Sequence, residues 1–125
     1  MPGDIKVSLP AKAEYLHILR SVVASAAASM DFTIDDIDDL RLVVDEACGQ
    51  VLSISNGATA LNLSIGFSNR AIELTVSTDG KPAQPLESIQ ETMAWTILSA
   101  LSDNLQMEDG DVPSVRLTKS HRRVS

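Results

Sequence analysis

Hydrophobic positions change their period several times along this chain, and each change marks the edge of a predicted element. Ile5, Val7 and Leu9 alternate with Lys6 and Ser8, a period of two that predicts a short half-buried strand from Asp4 to Leu9, ended by Pro10. From Ala11 the spacing lengthens to three and four. Tyr15, Ile18, Leu19, Val22, Val23 and Ala26 form the stripe of an amphipathic helix reaching about Ser29, with an alanine-rich end suited to close packing. Met30-Asp31-Phe32 connects it to a second helix, where Thr33 and Asp36 are spaced as a cap and Asp35, Asp38 and Asp39 complement the positive end of the dipole. The stripe of this helix is Ile37, Leu40, Val44, Ala47, Val51 and Ile54, and Asn56-Gly57 supplies left-handed residues to stop it.

Two cleanly alternating runs follow, Leu61, Leu63, Ile65, Phe67 and then Ile72, Leu74, Val76. Ser68-Asn69-Arg70 separates them, the strongest hairpin signal in the chain. Gly80, Pro82 and Pro85 make Thr78 to Pro85 a loop. A third helix is expected from Leu86 or Glu87 to Asp103, carrying Ile89, Met93, Ile97, Ala100 and Leu101. Two short strands close the chain, around Leu105-Gln106-Met107 and from Ser114 to Lys119, with a turn at Asp109-Gly110-Asp111. In the order β-α-α-β-β-loop-α-β-β every helix has one apolar stripe and the hairpin one apolar face. The expected architecture is an α+β two-layer sandwich, a mostly antiparallel sheet with helices on one face.

The 125 residues are read as a single domain over 1–125, with a short basic tail from about 119 to 125, Lys119-Ser120-His121-Arg122-Arg123, fraying at its end. Apolar residues make up 44% of the chain, yet no apolar run approaches the roughly 20 residues that span a bilayer. Met1-Pro2-Gly3-Asp4 has no signal-peptide character, and the single Cys48 cannot form an internal disulfide, so a cytoplasmic protein without a membrane anchor is expected. Seventeen acidic against ten basic residues give a net charge of −7. Such a surface repels phosphate backbones, which excludes direct nucleic-acid binding and leaves protein partners. Cys48 has no basic neighbour or second cysteine, and His17 and His121 are far apart in sequence; nucleophilic catalysis and a metal centre find little support.

Candidate chemistry lies in the second helix, "LRLVVDEACGQVL", Leu40 to Leu52. A helical wheel sets Asp45 about 130° to one side of the stripe and Glu46 about 130° to the other. Asp45 shares its arc with Asp38 and Cys48 and is expected to be a solvated carboxylate. Glu46 shares its arc with Leu42, Val43 and Gln50, so a carboxylate and a carboxamide stand one turn apart among apolar side chains, the shape of a small polar site. On the first helix Arg20 falls roughly 120° from its stripe and should face solvent or a partner.

That segment resembles the first ATP-box helix of the anti-sigma factor serine kinases, the RsbW-like branch of the GHKL (histidine-kinase-like) ATPase superfamily, where the helix carries Glu-Ala-x-x-Asn; here it reads Glu46-Ala47-Cys48-Gly49-Gln50. "WTILSALSDNL", Trp95 to Leu105, is similar to the helix after the family's ATP lid, and "VRLTKS", Val115 to Ser120, to its terminal strand. The resemblance implies Glu46 as the base on a substrate serine and Gln50 at the magnesium ligand. Gln50 is not a neutral replacement, because its extra methylene moves the carbonyl by about an ångström and magnesium demands near-octahedral geometry. The family's adenine motif, Asp-x-Gly-x-Gly, falls on Thr78, Gly80 and Pro82, with only Gly80 preserved; a shift by one residue recruits Asp79 but loses the glycine spacing. Its lid ends in Gly-x-Gly, where free N–H groups cradle phosphate; Thr92 and Ala94 stand there, after a Pro-rich segment short for a lid.

The scaffold is therefore recognisable while three nucleotide elements, holding Gln50, Thr78, Asp79 and Gly80 among their residues, are altered, as in actinobacterial members with eroded ATP boxes. The resemblance implies an anti-sigma factor that sequesters a stress- or sporulation-type sigma factor and is released by a competing anti-anti-sigma (STAS-domain) protein, with ATP and Mg binding weak or lost. It also implies Arg20 as a contact for both partners, and a homodimer in which the strand Ile5 to Leu9 takes part. Two alternatives stand beside it: an active ATP-dependent serine kinase with Glu46 as catalytic base, and an unrelated α+β interaction domain.

Overall fold

Alternation in the chain becomes a five-stranded antiparallel sheet in the order β1-β3-β4-β7-β6. Its strands are β1 (Ile5–Pro10), β3 (Ala60–Ser68), β4 (Ala71–Thr78), β6 (Asn104–Glu108) and β7 (Ser114–Ser120), and three helices, α1 (Leu16–Ser29), α2 (Ile34–Ser53) and α3 (Met93–Leu101), accompany it. A 3-10 turn, Ala13–Tyr15, leads into α1, and a separate two-stranded ribbon pairs β2 (Ser55–Asn56) with β5 (Lys81–Pro82). The structure is a computed structural model that describes residues 5–82, 92–108 and 114–120.

The hairpin is closed by Asn69-Arg70, with Ser68 opposite Ala71. Arg70 has φ of 61°, a left-handed conformation that a side chain tolerates poorly. Leu61, Leu63 and Ile65 on β3, Ile72, Leu74 and Val76 on β4, and Val115 and Leu117 on β7 are buried in one core with Leu19, Val23, Leu40, Val44, Val51 and Leu98 of the helices. The opposite sheet face is polar or small. Lys6 stands across from Ser64, Ser64 from Thr75 and Thr75 from Arg116, so one face is dry and one wet, as an antiparallel sheet permits.

Several boundaries differ from the sequence reading: inside the predicted loop Thr78 ends β4 and Lys81–Pro82 pair with Ser55–Asn56, and α1 begins only at Leu16. α2 ends at Ser53 with Ile54 as its cap residue, and Asn56 is a strand residue; only Gly57, φ 69°, takes the left-handed conformation there. Burial of Ile54 in the core pulls the chain off the helix axis before the Asn-Gly pair is reached. α3 starts at Met93 because Thr92 has extended backbone and caps the helix, its hydroxyl accepting from the Trp95 N–H; the predicted turns from Leu86 to Glu91 lie outside the described residues. α3 also stops at Leu101, two residues early, since Ser102 is extended (φ −117°, ψ 149°) and feeds β6.

Lys119 and Ser120 are not part of a tail. They belong to β7, and the Lys119 side chain is only 1% exposed. Its ammonium donates to the Leu101 carbonyl at the end of α3 (3.1 Å) and lies 3.8 Å from Asp36 and 3.7 Å from Asp39 on α2. A buried ammonium requires such company, and here it ties one strand to two helices. Residues 121–125 lie outside the described part, as does the predicted turn at 109–111.

Candidate functional site

α2 is the central helix, packing on α1 at one side and α3 at the other. Its buried face is consequently wider than the predicted stripe. Val43 and Cys48 are both buried along with Leu40, Val44, Ala47 and Val51, whereas Ile37 is only half-buried. Burial pushes the Cys48 thiol up to about 12, with the Asp45 charge adding to the effect, so the sulfur is inert.

Asp45 is not the free surface carboxylate expected. It accepts from Arg20 Nη1 at 2.7 Å, with the two side chains 35% and 38% exposed. Arg20 therefore spans the α1–α2 seam, half in solvent, instead of pointing outward. The wheel contained the signal: residues set about 120–130° from two stripes sit on the shoulders of their helices, and the facing shoulders of neighbouring helices meet. Arg41, half exposed on α2, makes its own pair with Asp38 at 3.0 Å.

On the other shoulder Glu46 and Gln50 are half-buried. Their side chains have no hydrogen-bond or ion-pair partner among the described residues. Gln50 does act through its backbone: its carbonyl accepts from the Ser53 hydroxyl (2.8 Å) and the Ile54 N–H (3.2 Å), closing the C-terminal end of α2.

Thr78, Asp79 and Gly80 are brought to that same end. The Ser55 hydroxyl donates to the Val51 carbonyl of α2 at 2.6 Å and lies 2.9 Å from the Thr78 hydroxyl, which also accepts from the Gly80 N–H at 3.3 Å. Thr78 is buried, and its polar atom is satisfied within the protein. The Asp79 carboxylate accepts from the N–H groups of Thr59 (2.7 Å) and Ala60 (2.9 Å) and from the Thr59 hydroxyl. Those bonds, the Thr59 hydroxyl foremost, lower it to about 2. Gly80 is dictated by close approach: a Cβ there would meet the Asn56 carbonyl oxygen at 2.8 Å and the Ala58 nitrogen at 3.0 Å. Ser55 and Thr59, which organise this corner, were missed in the sequence, because a hydroxyl in a polar loop reveals its partner only when the chain folds back.

At the predicted phosphate cradle, Thr92 spends its hydroxyl on the Trp95 N–H (3.1 Å), and Ala94 is buried in the first turn of α3. Among the described residues no group of three His, Cys, Asp or Glu side chains is placed to hold a metal ion.

A sequence model described as the histidine kinase-like ATPase domain matches residues 9–119. The chain belongs to this family. It is 25% identical to the serine-protein kinase RsbW of Bacillus thuringiensis (strain Al Hakam) over 95% of its own length and 86% of that protein's. The protein of that name from Bacillus cereus (strain Q1) is equally similar, with the same coverage. Among solved structures, the RsbU and RsbW domains of Rv1364c from Mycobacterium tuberculosis match with a TM-score of 0.68 at 12% identity, covering 98% of this chain and 34% of that one. This chain thus spans about a third of that structure, and the likeness is one of fold. Membership in the histidine kinase-like family confirms the α+β sandwich and sets aside the unrelated interaction domain.

Proposed function

We propose that this chain is an anti-sigma factor: it binds a sigma factor of the stress or sporulation type in the cytoplasm and yields it to a competing anti-anti-sigma protein. Arg20 is the observation that carries this reading. It stands at the position that meets both partners in the RsbW-like branch, and its guanidinium is part-exposed on the α1–α2 seam. A homodimer involving β1, an edge strand of the sheet, belongs to the same reading.

In this proposal Mg-ATP binding is weak or lost. Three engaged groups and one substitution support that view. The Thr78 hydroxyl, the Asp79 carboxylate and the Thr92 hydroxyl are all taken up by the protein's own atoms, while Gln50, one methylene longer, stands where the family's asparagine would face magnesium. These residues fit the nucleotide poorly, and no catalytic step is assigned to it. A serine-protein kinase is the second reading, favoured by the relatives' name and by Glu46, a half-buried carboxylate with no hydrogen-bond or ion-pair partner among the described residues, which would then be the base.

One pair of measurements separates the two. Trp95, the sole tryptophan, lies half-buried at the start of α3, beside the nucleotide elements. The anti-sigma reading expects its fluorescence and the calorimetric heat to stay flat on titration with Mg-ATP, and expects affinity capture from the source cell to recover a sigma factor. Saturable micromolar nucleotide binding restores the kinase, and repeated capture without a sigma factor overturns both.

A further inference from the structure

Arg20 and Asp45 meet across two helices that are packed rigidly beside them. Leu19, Val23 and Ala27 of α1 and Val44, Ala47 and Cys48 of α2 belong to the same buried cluster, so neither backbone is free to drift. Between them the contact is single-pointed: only Nη1 of Arg20 is engaged, by Oδ1 of Asp45 at 2.7 Å. A guanidinium has five N–H donors in a planar fork. The Nε and Nη2 atoms, whose shared edge takes a carboxylate in two parallel bonds, have no partner among the described residues. With Arg20 38% exposed, that edge is accessible.

We propose that Asp45 is a positioning residue that holds Arg20 by its Nη1 corner and presents the opposite Nε–Nη2 edge to an Asp or Glu side chain of the partner protein. The proposal rests on the sigma-binding reading of Arg20 and adds its recognition chemistry. A long flexible arginine loses rotamer freedom when a partner immobilises it; one already tethered loses less, and the gain is worth about threefold to tenfold in affinity. Asp45 itself stays attached during binding. It is a support for the recognition group, and the partner's carboxylate completes a carboxylate–guanidinium–carboxylate row.

The test is a double-mutant cycle by calorimetry with the purified sigma factor recovered in the capture experiment, on variants whose far-UV dichroism matches the parent. Asp45→Asn is expected to weaken binding about threefold to tenfold, and to change it less than twofold when Arg20→Gln is already present. Arg20→Lys, which keeps the charge and loses the two-edged fork, should bind at least as weakly as Asp45→Asn. Asp38→Asn removes an equal charge from the same helix and should leave affinity within twofold. Tighter binding by Asp45→Asn would make Asp45 a competitor for Arg20 and overturn the proposal. An equal loss in the Arg20→Gln background would make Asp45 a direct contact or a structural residue and overturn it too. If the parent protein binds no sigma factor, the anti-sigma reading falls and this proposal with it, an outcome distinct from the other two.

Discussion

Single residues settle most of the local chemistry. Lys119 is the clearest case, a cation enclosed by Asp36, Asp39 and the Leu101 carbonyl. Lys119→Met leaves Asp36 buried against a methionine, and breaking a buried pair from one side costs about 3–5 kcal/mol. Urea unfolding should show that loss, and adding Asp36→Leu should recover most of it. Asp79 makes a pH-dependent prediction. Its folded carboxyl lies at about 2 against an ordinary 3.8, so the folded state holds this proton less tightly than the unfolded chain. The stabilisation is complete above 3.8 and is lost as pH falls toward about 2. The melting temperature of the parent should therefore exceed that of Asp79→Ala at pH 6, with the gap narrowing through that window; a gap independent of pH would exclude the charged carboxylate as its source. Neither residue showed its role in the sequence. Lys119 stood among basic neighbours in an end segment, and Asp79 stood in a Pro- and Gly-rich stretch read as loop, because both partners of each contact are distant along the chain.

At the scale of elements the periodic patterns were dependable and the ends were not. Thr33 caps α2 as its spacing with Asp36 predicted, the hydroxyl accepting from the Asp36 N–H at 3.1 Å. The hairpin strands appear where the alternation put them. Helix ends moved because tertiary pull decided them, Ile54 turning into the core at the end of α2 and Thr92 capping α3 from an extended backbone. The hairpin turn keeps one local conflict. Arg70 holds φ of 61° where glycine would be relaxed, so Arg70→Gly should stabilise the protein by about 0.5–1 kcal/mol in a thermal melt. No gain would mean that the Arg70 side chain compensates through contacts of its own.

Across the described residues one core joins α1, α2 and α3 to the main sheet, with α2 at its centre. Leu40, fully buried on that helix, is expected to cost about 2–5 kcal/mol when changed to alanine. Unfolding should remain one transition, with the Trp95 fluorescence and the far-UV dichroism coinciding; separated midpoints would show that α3 unfolds on its own. Among the described residues no helix is long and apolar enough to cross a membrane.

Sequence alone determined the order of the three helices and the five main strands, the sandwich and the family, because periodicity of 2 and 3.6 and the Glu46 to Gln50 motif are properties of neighbours along the chain. The β2–β5 ribbon was not among the elements it determined. Tertiary structure alone decided what each polar group on those elements touches. The wheel placed Asp45 and Glu46 on opposite shoulders of α2, but only packing against α1 joined Asp45 to Arg20. Only the return of β4 beside β3 engaged Asp79 with Thr59 and Ala60, and only its approach to the end of α2 engaged Thr78 with Ser55. Hydrogen bonds and ion pairs act over about 3–4 Å, and residues 19 to 25 positions apart reach that distance only once the core has brought their elements together.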